Sequence, residues 1–570
     1  VSRKKAFDGQ LRPVLITAGL VLIVLAALAA PRLHGTAPES AGTGNPDPLE
    51  RESLLGRPQV FRYYSERPTA LDPALASDAY SSMVIAQIFS PLVGLTSDLE
   101  PIPQIAQSWT ISRDGLVYVF HIHPGVRFHN GREVEAKDFV YSLTRLFKEP
   151  YRTQGLAAGY LDAIVGVPEF VSGRAPTIRG IFAIDRYRLE IRLSRPYGAL
   201  LSALALDQAS VVPRECVESK GIPFGRHPIG CGPFRITDRG DETHLVLASN
   251  ADYFQGKPAI DSIVFYTPKR SVDGVDTDGA RALLRGDAAM ANLPLNMLDE
   301  MKGRSSIRVV RWQDLSLSFI GMNVTMPPLD DHRVRQAIAM AMGREEMLAL
   351  WPAGKVLSQG ILPPGLPGYS PEHRAYPHDT EEARRLLASA GYGPGHPLPP
   401  LTLLKANSNP SVRQVDSLMV KTLAESGILV NLEYVSWAEL DRAITARKVP
   451  LFGLAWIADI PDPDTFLRAL FYSRSGTNYF GYADPTVDSL LNVAQRTADP
   501  ELRMNAYRSV ETRVVRAAPL VPLFHSSTFV GLREEVSGLE VNPLGISTLA
   551  MEKLRIGKPL DKREPRQALR

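Results

Sequence analysis

The apolar run Leu454-Ala455-Trp456-Ile457-Ala458 ends on a lone carboxylate, Asp459, and Pro461 and Pro463 follow at once. Proline removes a backbone donor and stops regular structure, so Asp459 stands where a strand leaves a core and a loop begins. A carboxylate withdrawn from water must be hydrogen-bonded or paired with a cation. No Lys or Arg lies beside it in sequence. Two readings are open: Asp459 caps the next turn, as Asp commonly does, or it holds a cation supplied by a ligand at a scaffolded loop.

Other residue types with chemical potential are weaker signals. His121 and His123 share one strand face and His129 follows closely, but no third and fourth metal ligand of clear spacing appears. Polar residues on a hairpin account for them, and no metal is expected. The segment Ile229-Gly230-Cys231-Gly232-Pro233-Phe234 is glycine-rich yet lacks the Gly-Lys-Ser/Thr of a phosphate loop. Neither H-E-x-x-H nor G-x-S-x-G occurs. No catalytic constellation and no cofactor are expected, and Asp462 and Asp464 read as turn and helix caps. Cys216 and Cys231 are the two cysteines. In an exported protein an even count predicts a disulfide; free buried thiols are the alternative.

The elements that must position these residues are mixed. Strands are expected at Val60–Tyr64, Leu116–His123, Arg188–Leu193, Ile260–Tyr266, Leu429–Val435 and from Val521 to Phe524, by alternation of apolar and polar residues. Helices are expected at Ser81–Ser90, Ala136–Phe147, Asp330–Leu350, Thr380–Ala390, Ser411–Gly427, Asp484–Gln495 and Glu501–Ala517. Pro124-Gly125 and His129-Asn130-Gly131 mark turns. This is α+β without strict βαβ alternation and without internal repeats.

At 570 residues the chain is too long for one ordinary domain. Its 44% hydrophobic and 22% charged residues are ordinary globular values. A net charge of +3 and no basic stripe with interleaved aromatics argue against nucleic acid. Arg3, Lys4, Lys5 and Arg12 precede the uncharged apolar run Val14 to Ala30. That is a secretory signal, cut after Ala29, or a short membrane anchor at Val14 to Ala30. The positive flank stays in the cytoplasm, so the body faces outward. Residues 1–35 are thus signal or anchor, 36–58 a flexible linker, and 558–570 a disordered basic tail.

Several blocks in fixed order resemble one family. They are Ala70-Leu71-Asp72-Pro73; Gly115 to His121 with Gly125-Val126-Arg127-Phe128-His129-Asn130-Gly131; Pro228 to Phe234; Asn250-Ala251-Asp252-Tyr253-Phe254; Asp331 to Ala337; and Tyr376 through Gly391-Tyr392. Together they resemble the periplasmic oligopeptide, dipeptide and nickel-binding proteins of ABC transporters, extracellular solute-binding protein family 5. The resemblance implies a two-lobed periplasmic-binding-protein fold with α/β lobes joined by two hinge strands, near Leu315 to Asn323 and Leu520 to Phe524. It implies lobe 1 over 59–314 with an inserted subdomain at about 91–205, lobe 2 over 315–522, and a return to lobe 1 over 523–557.

It also implies that Asp459 holds a peptide's α-ammonium and that Trp437 lines the pocket. Trp456 and Ala458, in the same run, and Ala406 and Ser408, before Asn409-Pro410, are expected at the ligand. So are Ser77, Asp78 and Tyr80 of the first lobe. Dipeptide binders carry an Arg before the Asn-Pro that clamps the ligand carboxylate; Ala406 and Ser408 stand there instead. This departure leaves longer peptides or a non-peptide cation open. The implied function is capture of a peptide-like solute by a monomer and its delivery to an ABC-transporter permease, in the periplasm. A membrane-anchored receptor on the same fold and a binder of a metal chelate are the alternatives. An exported hydrolase lacks a nucleophile or acid pair.

Overall fold

A computed structural model describes residues 58–557, apart from 156, 220–222, 240–242, 268–276, 352–353, 374, 407–409 and 498. The expected signal or anchor at 14–30, nearly all of the linker and the basic tail lie outside the described residues. Among the described residues no helix is long and apolar enough to cross a membrane.

The alternation read from the sequence becomes pairing. Val60–Tyr64 forms as expected and pairs in parallel with Ser262–Tyr266. In Val117–Ile122 the residues Tyr118, Phe120 and Ile122 are buried while their neighbours are half-exposed. One large sheet runs Val430–Tyr434, Leu401–Lys405, Leu451–Ile457, Ser316–Met322, Leu520–Arg533, Met290–Asn292, Val60–Tyr64, Ser262–Tyr266, His244–Ser249, Phe234–Asp238. Ile307–Gln313 and Lys355–Leu357 also pair with Leu520–Arg533.

Leu520–Arg533 is therefore common to both halves of the sheet. Its first part, Leu520 to Phe524, pairs with Ser316–Met322, and its second, Ser527 to Arg533, with Ile307–Gln313. The two partners follow one another in the chain, so two strand crossings join the halves at about 313–316 and 524–527. The crossing is tightly bonded. Asp314 N–H donates to Ser526 O at 2.9 Å, and Thr528 Oγ1 donates to the Asp314 carboxylate at 3.0 Å. The Nδ1 of His525 lies 2.7 Å from Ser316 O. Burial pulls the His525 ring down to about 4, so it is neutral and donates that bond as the Nδ1–H tautomer. The crossings coincide with the expected hinge strands, although the second strand continues well past Phe524.

Each half has its own core. Around Val60–Tyr64 the core includes Phe61, Ile85, Phe234 and Ile263. Around Leu451–Ile457 it includes Phe319, Phe452, Phe466 and Phe480. A separate four-stranded sheet, Ala106–Ile111, Val117–Ile122, Arg188–Arg192, Ile181–Ala183, packs on a third core with Phe120, Phe139 and Leu189. It falls within the stretch expected to hold an inserted subdomain.

One helix divides in two. The segment expected as a single helix over Asp330–Leu350 forms His332–Ala341 and Arg344–Ala349. Met342 is extended between them. The buried guanidinium of Arg344 donates from Nη1 to the carbonyls of Ser358 and Pro522 and from Nη2 to that of Tyr376, which anchors the start of the second helix.

The expected disulfide does not form. Cys216 and Cys231 are both free. Cys231 is buried in the core of the four-stranded unit, whereas Cys216 packs at the edge of the Phe61 core. Parity of cysteines is no guide when the backbone commits each thiol to a different core. Burial pushes the Cys231 thiol up to about 12 and raises that of Cys216. Thiol titration of the native, unreduced protein is expected to find Cys216 reacting slowly and Cys231 silent, with both released on unfolding. Fewer than two thiols in the unfolded chain would restore the bridge.

Candidate ligand-binding cleft

The strand Leu451–Ile457 delivers Asp459. Along it the side chains alternate, and Ala455 and Ile457 are exposed while Leu454 and Trp456 are buried. Asp459 follows in the same phase as Ala455 and Ile457 and is itself half-buried in the cleft. Ala458 N–H donates to Leu315 O at 2.8 Å, which ties the end of this strand to the hinge. The Asp459 carboxylate accepts from Tyr160 Oη at 2.6 Å. Tyr160 belongs to the unit built on the four-stranded sheet, and Ile460 enters that unit's core. The carboxylate thus faces elements from both sides of the cleft.

Burial raises Asp459 from the ordinary carboxylate range to about 7, against the opposing pull of the Tyr160 hydrogen bond. Among the described residues no Lys or Arg forms an ion pair with it. Asp462 does take the capping role: it accepts from Asp464 N–H at 3.0 Å and receives the Arg503 guanidinium on both oxygens, at 2.9 and 2.8 Å.

Asp459 opens on a cavity of about 330 Å³ that also reaches Ile457, Ala458, Ser82, Asp207 and Glu552. That is the lower end of the range for small-molecule sites. The lining holds three carboxylates, Asp207, Asp459 and Glu552, and one ammonium, Lys553. Lys553 Nζ is already 2.6 Å from Glu540. Burial raises Asp207 to about 6 and raises Glu552 as well. Among the described residues no group of His, Cys, Asp and Glu could hold a metal ion.

The other expected site residues divide. Ala458 lines the cavity. Trp456 does not: strand alternation turns it into the core, where Nε1–H donates to Thr465 O at 2.6 Å. Asp78 is the N-cap of the helix Ala79–Ile88, accepting from Tyr80 N–H and Ser81 N–H, so its carboxylate is occupied. Tyr80 misses the cavity by helical phase, since Ala79, Ser82 and Ala86 of the same helix line it, and Ser77 precedes the helix and is outside the lining. Trp437 begins the helix Trp437–Thr445, is 36% exposed and stands outside this cavity. Ala406 packs against the Phe452 core rather than the cavity, and Ser408 lies outside the described residues. Lys405 is held by Asp416, so it cannot replace the missing Arg clamp.

The sequence block Pro228 to Phe234 has a structural purpose. A Cβ on Gly230 or Gly232 would lie 1.9 or 2.6 Å from the Ile88 backbone, so only glycine permits this contact with the cleft-lining helix. His129 fastens the same loop, its Nε2 3.1 Å from Gly232 O, and burial pulls its ring down to about 4. The hairpin histidines thus belong to the framework.

Comparison with known proteins agrees with this geometry. Residues 100–478 match the family described as bacterial extracellular solute-binding proteins, family 5 Middle. The chain belongs to this family. Within it, the chain is 31% identical over 466 residues to a probable di/tripeptide-binding protein 5 of Pseudomonas aeruginosa, covering 78% of this chain and 85% of that protein. It is 28% identical over 512 residues to a dipeptide-binding protein of Escherichia coli, covering 86% and 91%. Among solved structures, HbpA2 from Haemophilus parasuis superposes with a TM-score of 0.76 at 25% identity, covering 87% of this chain and 99% of that one. The fold is the family's two-lobed α+β architecture.

Proposed function

We propose that this protein captures a short peptide or peptide-like solute with a free amino group between its two lobes and presents it to an ABC-transporter permease. The observation that carries this reading is Asp459: a carboxylate at a strand end, lining a cleft, with a hydrogen bond from the opposite side and no cationic partner among the described residues. A ligand ammonium completes it. Charge-assisted bonds of this kind are strong where water is excluded.

The names of the relatives support a peptide ligand, and the cavity volume supports a short one. The earlier objection to dipeptides rested on the missing Arg at Ala406 and Ser408; it bears on how the far carboxylate is held, not on the amine end. The relatives are binding proteins, which supports a role without catalysis. Residence outside the cytoplasm follows the family description and the apolar segment at 14–30. A monomeric state, with that segment either cleaved as a signal or retained as an anchor, completes the reading. Lobe 1 would comprise 59–314 and 523–557, and lobe 2 315–522.

Binding is expected to turn the lobes about the crossings at 313–316 and 524–527. Small-angle scattering with a saturating di- or tripeptide pool, alongside calorimetry on the same sample, is expected to show a smaller radius of gyration. Calorimetric binding with an unchanged radius would rule out closure; absence of any peptide binding would rule out the function.

A further inference from the structure

Asp207 is not needed to bind a peptide amine, and its surroundings are unusual. It opens the short 3₁₀ turn Asp207–Ala209, on the lobe-1 side of the same cavity. Its carboxylate receives a hydrogen bond from the Ser82 side chain, but its Oδ2 is buried and has no partner among the described residues. The charge nearest in effect is the like charge of Asp78, which adds to burial in raising it. Two neighbours repeat the pattern. Gln208 is 2% exposed; its Nε2–H donates to Ala76 O and Ser82 Oγ, which fixes the amide so that Oε1 is the free end, without a partner. Ser210 is 3% exposed and its Oγ is likewise unpartnered. Both residues line the cavity.

Buried acceptors left unsatisfied cost free energy, and folded proteins avoid them outside functional sites. Here three belong to residues that follow one another closely in sequence and line one cavity. Each can accept a hydrogen bond. A group that matches them carries several N–H donors and positive charge: an alkylammonium has three donors, a guanidinium five. The lining as a whole has the corresponding sign, with three carboxylates against one lysine that Glu540 already engages.

We infer that Asp207, Gln208 and Ser210 form a second cation subsite, and that the preferred ligand is a short peptide with a basic side chain, its amino terminus on Asp459 and its side-chain cation on Asp207. This rests on the peptide reading given above and narrows it to a chemical class. An apolar side chain of equal length would leave the three acceptors unpaired, and sites built this way discriminate strongly against analogues that lack the donor.

Calorimetry at pH 7.5 with Lys-Ala, Ala-Lys and their norleucine counterparts tests it on the full chain. At least one lysine peptide is expected to bind tenfold or more tightly than its norleucine isostere. In Asp207→Asn that advantage is expected to fall below about threefold. Ser210→Ala, which removes a hydroxyl that no protein group uses, is expected to reduce the advantage in the same direction and serves if Asp207→Asn does not fold. Norleucine peptides that bind as well as lysine peptides would overturn the subsite and leave the peptide reading standing. A lysine advantage that survives both substitutions would also overturn it. Failure of all four peptides to bind would overturn both readings together.

Discussion

Replacing Asp459 by alanine is expected to weaken binding of a free-amine peptide by about 2–5 kcal/mol, the usual loss when one partner of a buried charge pair is removed. Acetylating the peptide's amino group is expected to cost the wild-type protein a similar amount and to cost the Asp459→Ala variant little more. Calorimetry on the four combinations makes a double-mutant cycle. Additive losses would show that the carboxylate and the amine do not meet. A second variant separates binding from folding. Burial of Asp459 raises it to about 7 in the unliganded protein, so its charged form is disfavoured there. Its folded value lies above its unfolded one, so its contribution to stability is present at low pH and lost as pH rises toward 7. Asp459→Asn keeps the acceptor for Tyr160 and removes the charge. At pH 8 it is expected to raise the thermal midpoint of the unliganded protein while abolishing most of the binding. A lowered midpoint would mean that the carboxylate serves the fold.

Affinity for the same peptide is expected to rise with pH up to about 7. In the free protein Asp459 is mostly protonated below that value; in the complex it must be ionised to pair with an ammonium, which pulls it down. Binding therefore releases a proton in acid solution, and Kd falls about tenfold per pH unit well below 7 and less steeply near it, about 50-fold in all between pH 5 and pH 7. Above roughly pH 8 the free peptide amine loses its own proton and the gain ends. Titrations in buffers of different ionisation enthalpy at pH 6 report the released proton directly. A flat profile from pH 5 to 7 would place the ligand's cation elsewhere.

Asp459 stands out in the sequence as a candidate ligand contact because one carboxylate ending an apolar run is a local pattern with few physical explanations. Asp207 lies in the stretch Leu200 to Val212 among Ser202, Gln208 and Ser210, so its sequence surroundings do not single it out. What distinguishes it, unpaired acceptors from Gln208 and Ser210 around one cavity, exists only after the chain has folded. Trp456 points into the core because a strand sends alternate residues to opposite faces, which a run of apolar residues does not reveal. Asp78 caps a helix, a role that the same carboxylate type at a ligand site would share in sequence. The hinge pair is implied by the family resemblance, whereas the other expected strands and most helices followed from periodicity. The break at Met342 did not, because it is set by carbonyls of Ser358, Tyr376 and Pro522 that come from later in the chain. The cysteine pairing failed for a related reason: a count carries no information about which core each thiol joins.

The shared strand Leu520–Arg533 also constrains the order of assembly. It sits between Ser316–Met322 and Met290–Asn292, in the interior of the large sheet. A chain that emerges from its N-terminus has Val60–Tyr64, Ser262–Tyr266 and Ile307–Gln313 long before it has the strand to which Met290–Asn292 and Ile307–Gln313 must bond. Until the last part of the sequence arrives, that half of the sheet keeps open edges, and pairings this distant along the chain form slowly. The polypeptide is thereby kept unfinished through most of its synthesis, which is the condition in which a protein can still be threaded through a membrane.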